Sequence, residues 1–580
     1  MKQAILTASA VVLILLLAAC GGGGNTPPAN PSVTVSPATA NVPEGSQQQF
    51  TATVSNTNDT NVTWQVNGVT GGNTTLGTIS TTGLYTAPAV IPNPASVTIT
   101  AFITDMTTVS GASIVTVTAV SFSNASLKGN FVFTLTGLDG NANPFYAIGA
   151  ITADGNGNIT GGEEDINDTS SGYANATTTT GTYSVGSDGR GTLNLNNSIG
   201  QFQFAIAMKA MSNAVLNETD NGVVAATGNL EAQGVSSPAV PAGNYAFGFS
   251  GSGLGCGSVS SAGIFNMNGG AIGGVQDLNC GGTIVQGQTL SGSYGAIDAL
   301  GRGTGAFSGS SAGASNIIYY VVSASHFRFL ADPTAATFLL GSADLQTQPS
   351  FAATDFNGSY IINSSANTNA GVSYTLIQIN ASGGNVSSGY FDVNDTGNQG
   401  SAALSGSYSV AANGYINGTW NVANAGLPFA VYLFSPTQGY YVDERTTAVG
   451  GGNIYQQSST VTTNAAWAGS FATRQFGYFL VNGLLNNNNA SGVSGQISAD
   501  GNGTLAGTLD LNDPAGVTTG ATLQGTYAVG TVAPGRTILT ITTTVEGTRS
   551  YVGYIVNQNQ VLLLETDNNL VSSGDAIRQF

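Results

Sequence analysis

Apolar and polar residues alternate along most of this chain in short runs, broken roughly every 8–12 residues by Gly, Asn and Asp. A period of two puts successive side chains on opposite faces of a strand. Apolar runs meet in pairs across polar turns, as in residues 202–208 with 215–219, and 317–322 with 327–330. Such pairs predict antiparallel hairpins. Outside residues 1–20 no stretch carries helical periodicity, so the pattern predicts an all-β protein.

One phrase recurs within this pattern: Gly181-Thr182-Tyr183, Gly292-Ser293-Tyr294, Gly406-Ser407-Tyr408 and Gly525-Thr526-Tyr527. The spacing of about 110–120 residues is the size of a small domain. Four related modules follow from it, over residues 126–233, 241–348, 355–457 and 466–580. Each opens on Gly, a small polar residue and an aromatic, as in Gly129-Asn130-Phe131 and Gly469-Ser470-Phe471. Each carries an Asp-x-Asn phrase upstream of its tyrosine: Asp165-Ile166-Asn167, Asp277-Leu278-Asn279, Asp392-Val393-Asn394 and Asp510-Leu511-Asn512. We read these as side chains bonding to turn backbone rather than as a ligand site. Each module closes near a glutamine. About eight short antiparallel strands per module suit a meander barrel, or a tightly curved sandwich. Alternation puts the four tyrosines in the module cores. Short polar linkers suggest an elongated array.

Residues 32–120 differ. Runs at 33–35, 49–54, 62–66, 97–101 and 114–118 have the rhythm of a β-sandwich, with Trp64 as its core aromatic. The phrase from Gly77 through Gly83-Leu84-Tyr85 to Pro88 resembles bacterial immunoglobulin-like domains, which implies a stalk or spacer. Ahead of it, Met1-Lys2, an apolar stretch and Leu17-Ala18-Ala19-Cys20 resemble a bacterial lipoprotein signal (residues 1–20). That resemblance implies lipidation of Cys20 and, with Gly21 following, an outer-membrane lipoprotein on the surface or periplasmic face. Residues 21–31 form a Gly/Pro tether. The whole plan resembles surface lipoproteins of diderm bacteria.

Composition narrows the function. Only 7% of the 580 residues are charged, and 29 acids against 11 bases give a net charge of -18. Such a surface repels phosphates, so nucleic acid is excluded as a partner. With few paired charges to titrate, the fold is expected to resist changes of pH. Besides Cys20, the chain has Cys256 and Cys280, and the point midway between them falls in the predicted turn at residues 266–270. A hairpin folded there brings them together, and an exported protein would oxidise them to a disulfide.

Candidate chemistry is sparse. The single histidine, His326, reads as a surface turn residue, and no catalytic residue is assigned. Glu163, Glu164 and Asp165 are clustered, but neighbours on a strand alternate faces. Asp154, Asn156 and Asn158, echoed by Asp500 and Asn502, place oxygens at alternate positions as calcium loops do. Hairpin-turn chemistry accounts for the same residues, so they stand as weak candidates, with no metal or cofactor assigned. The expected function is non-enzymatic: a membrane-anchored envelope protein that is adhesive or binds a glycan or protein ligand through its modules. The alternatives are a small-ligand carrier using barrel interiors, or a carbohydrate-active enzyme.

Overall fold

A computed structural model describes residues 29–168, 172–210, 213–220, 223–234, 238–253, 255–308, 316–331, 338–423 and 425–580. The signal segment with Cys20, and all but the end of the tether, lie outside the described residues. The chain divides into two compact units, one built from segments of the first 116 residues and one dominated by residues 117–580.

The first unit is β throughout. A five-stranded sheet orders Thr39–Pro43, Met106–Thr118, Ser96–Ile103, Val62–Val66 and Val69–Thr70, and smaller sheets pair Ser32–Ser36 with Thr51–Ser55 and gather Gln47–Gln49, Leu84–Thr86, Gly77–Ile79 and Gly72–Asn73. Phe50, Trp64, Tyr85 and Ile99 are buried between them. Gly83 shows why its phrase is written as it is. It has φ +83°, and a Cβ there would sit 2.8 Å from the Trp64 ring and 2.4 Å from the Phe50 carbonyl oxygen. Only glycine fits a positive φ under that ring.

The second unit holds four closed eight-stranded antiparallel barrels, here barrels 1–4, over residues 128–232, 243–345, 358–456 and 468–578. In barrel 1 the fourth strand is interrupted, as Gly172–Thr178 and Thr180–Val185, and Pro144–Asp154 pairs with Asn158–Asp168 to close the sheet. Each first strand pairs with its own last: Phe131 faces Ala232, Tyr245 faces Leu345, Tyr360 faces Gln456 and Phe471 faces Arg578. Alternation does the sorting. In Lys128–Asp139, Phe131, Phe133 and Leu135 point into the barrel, while Val132, Thr134 and Thr136 point out. The interiors are packed with aromatic and aliphatic side chains. The Trp420 and Phe429 rings, for example, stack at 3.5 Å in barrel 3.

The barrels are not an elongated array. Each packs on the next, and barrel 4 packs back on barrel 1. The Asp-x-Asn phrase is the reason. Asp165 of barrel 1 takes a two-pronged pair from Arg302 of barrel 2 at 2.7 and 2.8 Å, and the Tyr320 hydroxyl at 2.8 Å. Asp392 of barrel 3 takes Arg536 of barrel 4 at 2.7 Å twice, and Tyr554 at 2.7 Å. Asp510 of barrel 4 takes Arg190 of barrel 1, closing the circle.

The asparagines work beside them. Asn279 donates to the carbonyls of Asp443 and Ala448, Asn394 to those of Glu565 and Leu570, and Asn512 to that of Glu218, each in the following barrel. The turn reading is therefore half of the answer: Asn279 and Asn394 accept from their own turns at Gly282 and Gly397. The closing glutamines repeat the scheme. Gln233, Gln346, Gln457 and Gln579 each donate to two backbone carbonyls of the next barrel, Gln579 to Asp188 and Met208 of barrel 1. Head-to-tail contacts whose rotation closes make a ring.

Apolar seams fill the junctions: Val132, Ile148, Ile318 and Tyr320 between barrels 1 and 2, Ala246, Ile264, Ala430 and Tyr432 between 2 and 3, Ile361, Leu376, Tyr554 and Leu564 between 3 and 4. Between barrels 4 and 1 there are two small seams, one of Ala207, Val215 and Ala472 and one of Leu138, Ala225 and Ala490 with Phe476 and Tyr478 against it. Backbones approach closely across two of these junctions. A Cβ on Gly248 would lie 2.6 Å from the Tyr440 ring, and one on Gly492 would lie 2.3 Å from Asn217.

The repeated tyrosines clamp the chain entering each barrel. Tyr183 donates to the carbonyls of Asn124 (3.0 Å) and Leu127 (2.6 Å), Tyr527 to those of Asn464 (3.1 Å) and Trp467 (2.6 Å), and Tyr408 to that of Phe356 (2.9 Å). These three are buried, at 4%, 3% and 7% exposure. Tyr294 is only half-buried against the barrel 2 core. Tyr527→Ala should cost ~3–5 kcal/mol, and Tyr527→Phe, which takes a donor from two carbonyls (that of Asn464 keeps the Trp467 N–H) but leaves no cavity, ~1–3 kcal/mol. Urea unfolding measures both. Equal costs would mean that the ring contributes nothing beyond its hydroxyl.

Candidate functional site

The ring of barrels encloses a cleft. Its volume is about 790 Å³, and all four barrels line it. The first strand of each barrel turns the same outward positions toward it: Thr134 and Thr136, Gly248 and Ser250, Asn363 and Ser365, Arg474 and Phe476. Around them the wall is mostly hydroxyl, amide and bare backbone, including Ser260, Thr375, Asn453 and the run Gly450-Gly451-Gly452. Tyr146, Tyr374 and Tyr478 add aromatic surface, with the Phe476 and Tyr478 rings edge to face at 5.4 Å.

Charges gather where the barrels meet. Arg328 of barrel 2 lines the cleft and pairs with Glu231 of barrel 1 at 2.8 and 2.9 Å. Burial alone would raise the Glu231 carboxyl, but the Arg328 guanidinium pulls it down to about 2, with His326 and Lys209 helping. His326 is not a surface turn residue. Its Nδ1 lies 2.8 Å from Asp344, its Nε2 3.9 Å from Glu231, and Tyr440 of barrel 3 donates to the same Asp344. Burial lowers the Lys209 ammonium to about 8 despite the nearby Asp575. Arg474 and Asp575, on the cleft wall of barrel 4, stand 3.9 Å apart.

The carboxylates that suggested glycan chemistry go elsewhere. Asp165 is held by Arg302 and Tyr320 at a junction, as described above. Glu164 points into barrel 1, where burial raises its carboxyl to about 8. Glu163 is raised to about 8 by burial and then by Asp298 beside it. The calcium-loop candidates act within their own turns. Asp154 accepts from the backbone N–H groups of Asn156 and Asn158 and from the Asn158 amide, which lowers its carboxyl to about 2. Asp500 accepts from the backbone N–H groups of Asn502, Gly503 and Thr504.

Cys256 and Cys280 form a disulfide with their Cα atoms 5.0 Å apart. The hairpin turns at Gly269-Gly270, and its register sets Val259 rather than Cys256 opposite Cys280. Cys256 reaches across from the bend just before that strand.

The barrel interiors offer a carrier little room. In barrel 2 a space of about 20 Å³ remains between Phe247, Leu290 and Phe329, room for about one water. Ligand pockets usually run to several hundred Å³.

No protein-family profile and no curated protein matches this chain. Among solved structures, kievitone hydratase from Nectria haematococca shares 8% identity over 60% of this chain and 95% of that one, at a TM-score of 0.15. The P pilus usher PapC translocation pore shares 7% over 77% and 97%, at 0.12, and the N-terminal eight Ig domains of Down Syndrome Cell Adhesion Molecule share 9% over 95% and 87%, at 0.13. Scores this low carry no argument.

The buried acids reverse the expectation of pH tolerance. Besides Glu163 and Glu164, burial raises Glu444 to about 7 and holds Glu218 and Glu565 well above the ordinary range. In the unfolded chain these carboxyls ionise near pH ~4.3. As pH rises, the unfolded state sheds its protons first, so the fold loses stability between about pH 4.5 and 8. Glu231 works in the opposite sense and only below about pH 4. Tm should therefore fall steadily from pH 5 to 8, and Glu164→Gln should flatten part of the slope. A Tm that is constant or rises over that range would contradict this electrostatic account.

Proposed function

We propose that the protein is a non-enzymatic, lipid-anchored envelope protein that binds a glycan in the cleft between its four barrels. The observation that carries this reading is the lining of that cleft. A space of about 790 Å³ faced by Ser, Thr, Asn and backbone, with tyrosine and phenylalanine rings among them, matches the needs of a sugar chain. Hydroxyls and amides exchange hydrogen bonds with sugar hydroxyls, and ring faces cover the apolar faces of pyranose rings. Pooling the walls of four barrels gives one site larger than any single module offers.

The anchor in this reading is Cys20 of the Leu17-Ala18-Ala19-Cys20 signal. The tether and the immunoglobulin-like unit act as spacer between the lipid surface and the barrels. The outer membrane is the proposed site, and a net charge of -18 disfavours anionic polymers as ligands.

A glycan array, followed by calorimetry on the hits, tests the proposal. Ser250 and Ser365 are exposed on the cleft wall, one each on barrels 2 and 3. Ser250→Trp and Ser365→Trp should each weaken binding by at least about tenfold while leaving Tm unchanged, since a displaced ligand loses ~1.4 kcal/mol or more. Binding that survives both variants would move the site out of the cleft.

A further inference from the structure

Barrel 1 carries a lysine at a position where the other three barrels are apolar. The closing glutamines align the four barrels: Gln579 donates to the Met208 carbonyl as Gln233, Gln346 and Gln457 donate to those of Val321, Leu433 and Ile555. The next residue is Lys209 in barrel 1, and Val322, Phe434 and Val556 in the others. Val322, Phe434 and Val556 pack into the apolar seams between barrels. Lys209 is one of only three lysines in the chain, and its Nζ turns instead to the side-chain carbonyl of Asn229 at 2.6 Å.

This lysine has no counter-ion in contact. Among the described residues it makes no ion pair. A partly buried ammonium whose hydrogen bond goes to an amide is costly. Burial lowers it to about 8, with Arg474 and Arg328 pressing it down and Asp575 and Glu231 acting against them. Part of it is therefore free amine at neutral pH, and the free amine is a nucleophile. Because Nζ is held on Oδ1, it stands beside the carbonyl carbon of the same amide. The fold has already met the entropic cost of bringing the two groups together.

We propose that Lys209 and Asn229 join in an intramolecular isopeptide bond. The free amine Nζ adds to Cγ of Asn229, one of its protons passes to the amide nitrogen, the Cγ–Nδ2 bond breaks, and ammonia leaves. Amine and primary amide become secondary amide and ammonia, so the step needs no oxidant and no co-reactant. Two carboxylates act on this ammonium and supply a base for the proton. Glu231 lies two residues from Asn229 on the same face of Val223–Ala232, and Asp575 has an Oδ1 that is buried with no hydrogen-bond partner. The product carries no charge, which removes the cost of the buried ammonium. The bond ties Gln201–Ala210 to Val223–Ala232 over the strand between them, Asn213–Glu218, in the wall of barrel 1 that Gln579 of barrel 4 grips. It does not depend on what the cleft binds.

Trypsin reads the bond directly, because Lys209 is the only lysine or arginine between Arg190 and Arg302. The purified full chain is reduced, denatured, digested and weighed by mass spectrometry. In wild type, residues 191–302 should appear as one peptide, lighter than its sequence by one ammonia. Asn229→Ala should instead be cut into residues 191–209 and 210–302, both at full mass. Lys209→Met, which has no site to cut, should give the whole peptide without the loss. Wild-type protein cut after Lys209 at full mass would overturn the inference, and this result stands even if a variant fails to fold. An ammonia loss that persists in Lys209→Met would overturn it too, since it would belong to cyclisation of an asparagine.

Discussion

The buried aspartate that each barrel presents to the next is the interaction on which the second unit depends. In a chain with 7% charged residues, half of the eight arginines are committed to acids of a neighbouring barrel. Arg302, Arg536 and Arg190 hold Asp165, Asp392 and Asp510, while Arg328 holds Glu231 across the first junction. Buried pairs of this kind contribute little net stability over a well-packed apolar contact, because desolvation offsets most of the attraction. Their value here lies in registry. A two-pronged guanidinium–carboxylate pair fits in one orientation, so it fixes how far each barrel is rotated against its neighbour. Three junctions are fixed in this way, the apolar seam of barrels 2 and 3 fills the fourth, and barrel 4 comes back to barrel 1.

Registry then decides what every strand must carry. The first strands turn one face into their own barrel and the other toward the ring axis, where their hydroxyls and amides become the cleft wall. The sixth strands are covered on both faces, by their own core and by the neighbouring barrel, as in Asn316–Ser323 and Gly547–Asn557. Contact this close leaves no space for a side chain at Gly248 or Gly492. The cleft is thus a consequence of ring closure and belongs to no single module.

Most of the local fold was legible in the amino-acid pattern, because alternation and turn residues are local signals. Strand type, the barrel alternative, the Trp64 core and the placement of Tyr183, Tyr408 and Tyr527 follow from it. Ring closure did not, although its signals were present. Runs such as Ile317-Ile318-Tyr319-Tyr320-Val321-Val322 are apolar at every position, which a strand with one solvent face has no need to be. The recurring Gly-Arg at residues 189–190, 301–302 and 535–536 is the missing partner of Asp-x-Asn. It escapes a reading that treats repeats as internal to each module, since the two halves of each pair lie more than a hundred residues apart. His326 was misjudged for the same reason: one of its carboxylates, Glu231, comes from another barrel. The cleft residues were illegible for a different reason. An outward Thr, Ser or Asn looks the same whether it faces bulk water or an enclosed cleft.

The central claim is the closed ring, and the junction of barrels 4 and 1 is where it is most exposed to test. Its two apolar seams are rich in alanine, Ala207 replaces the tyrosine found at the other three junctions, and Arg190 with Asp510 is its ion pair. A double-mutant cycle over Arg190→Ala and Asp510→Ala, read by urea unfolding, tests it directly. The closed ring predicts a coupling energy of about 1–3 kcal/mol between these residues at opposite ends of the barrel array. A coupling indistinguishable from zero would mean that barrels 1 and 4 do not meet.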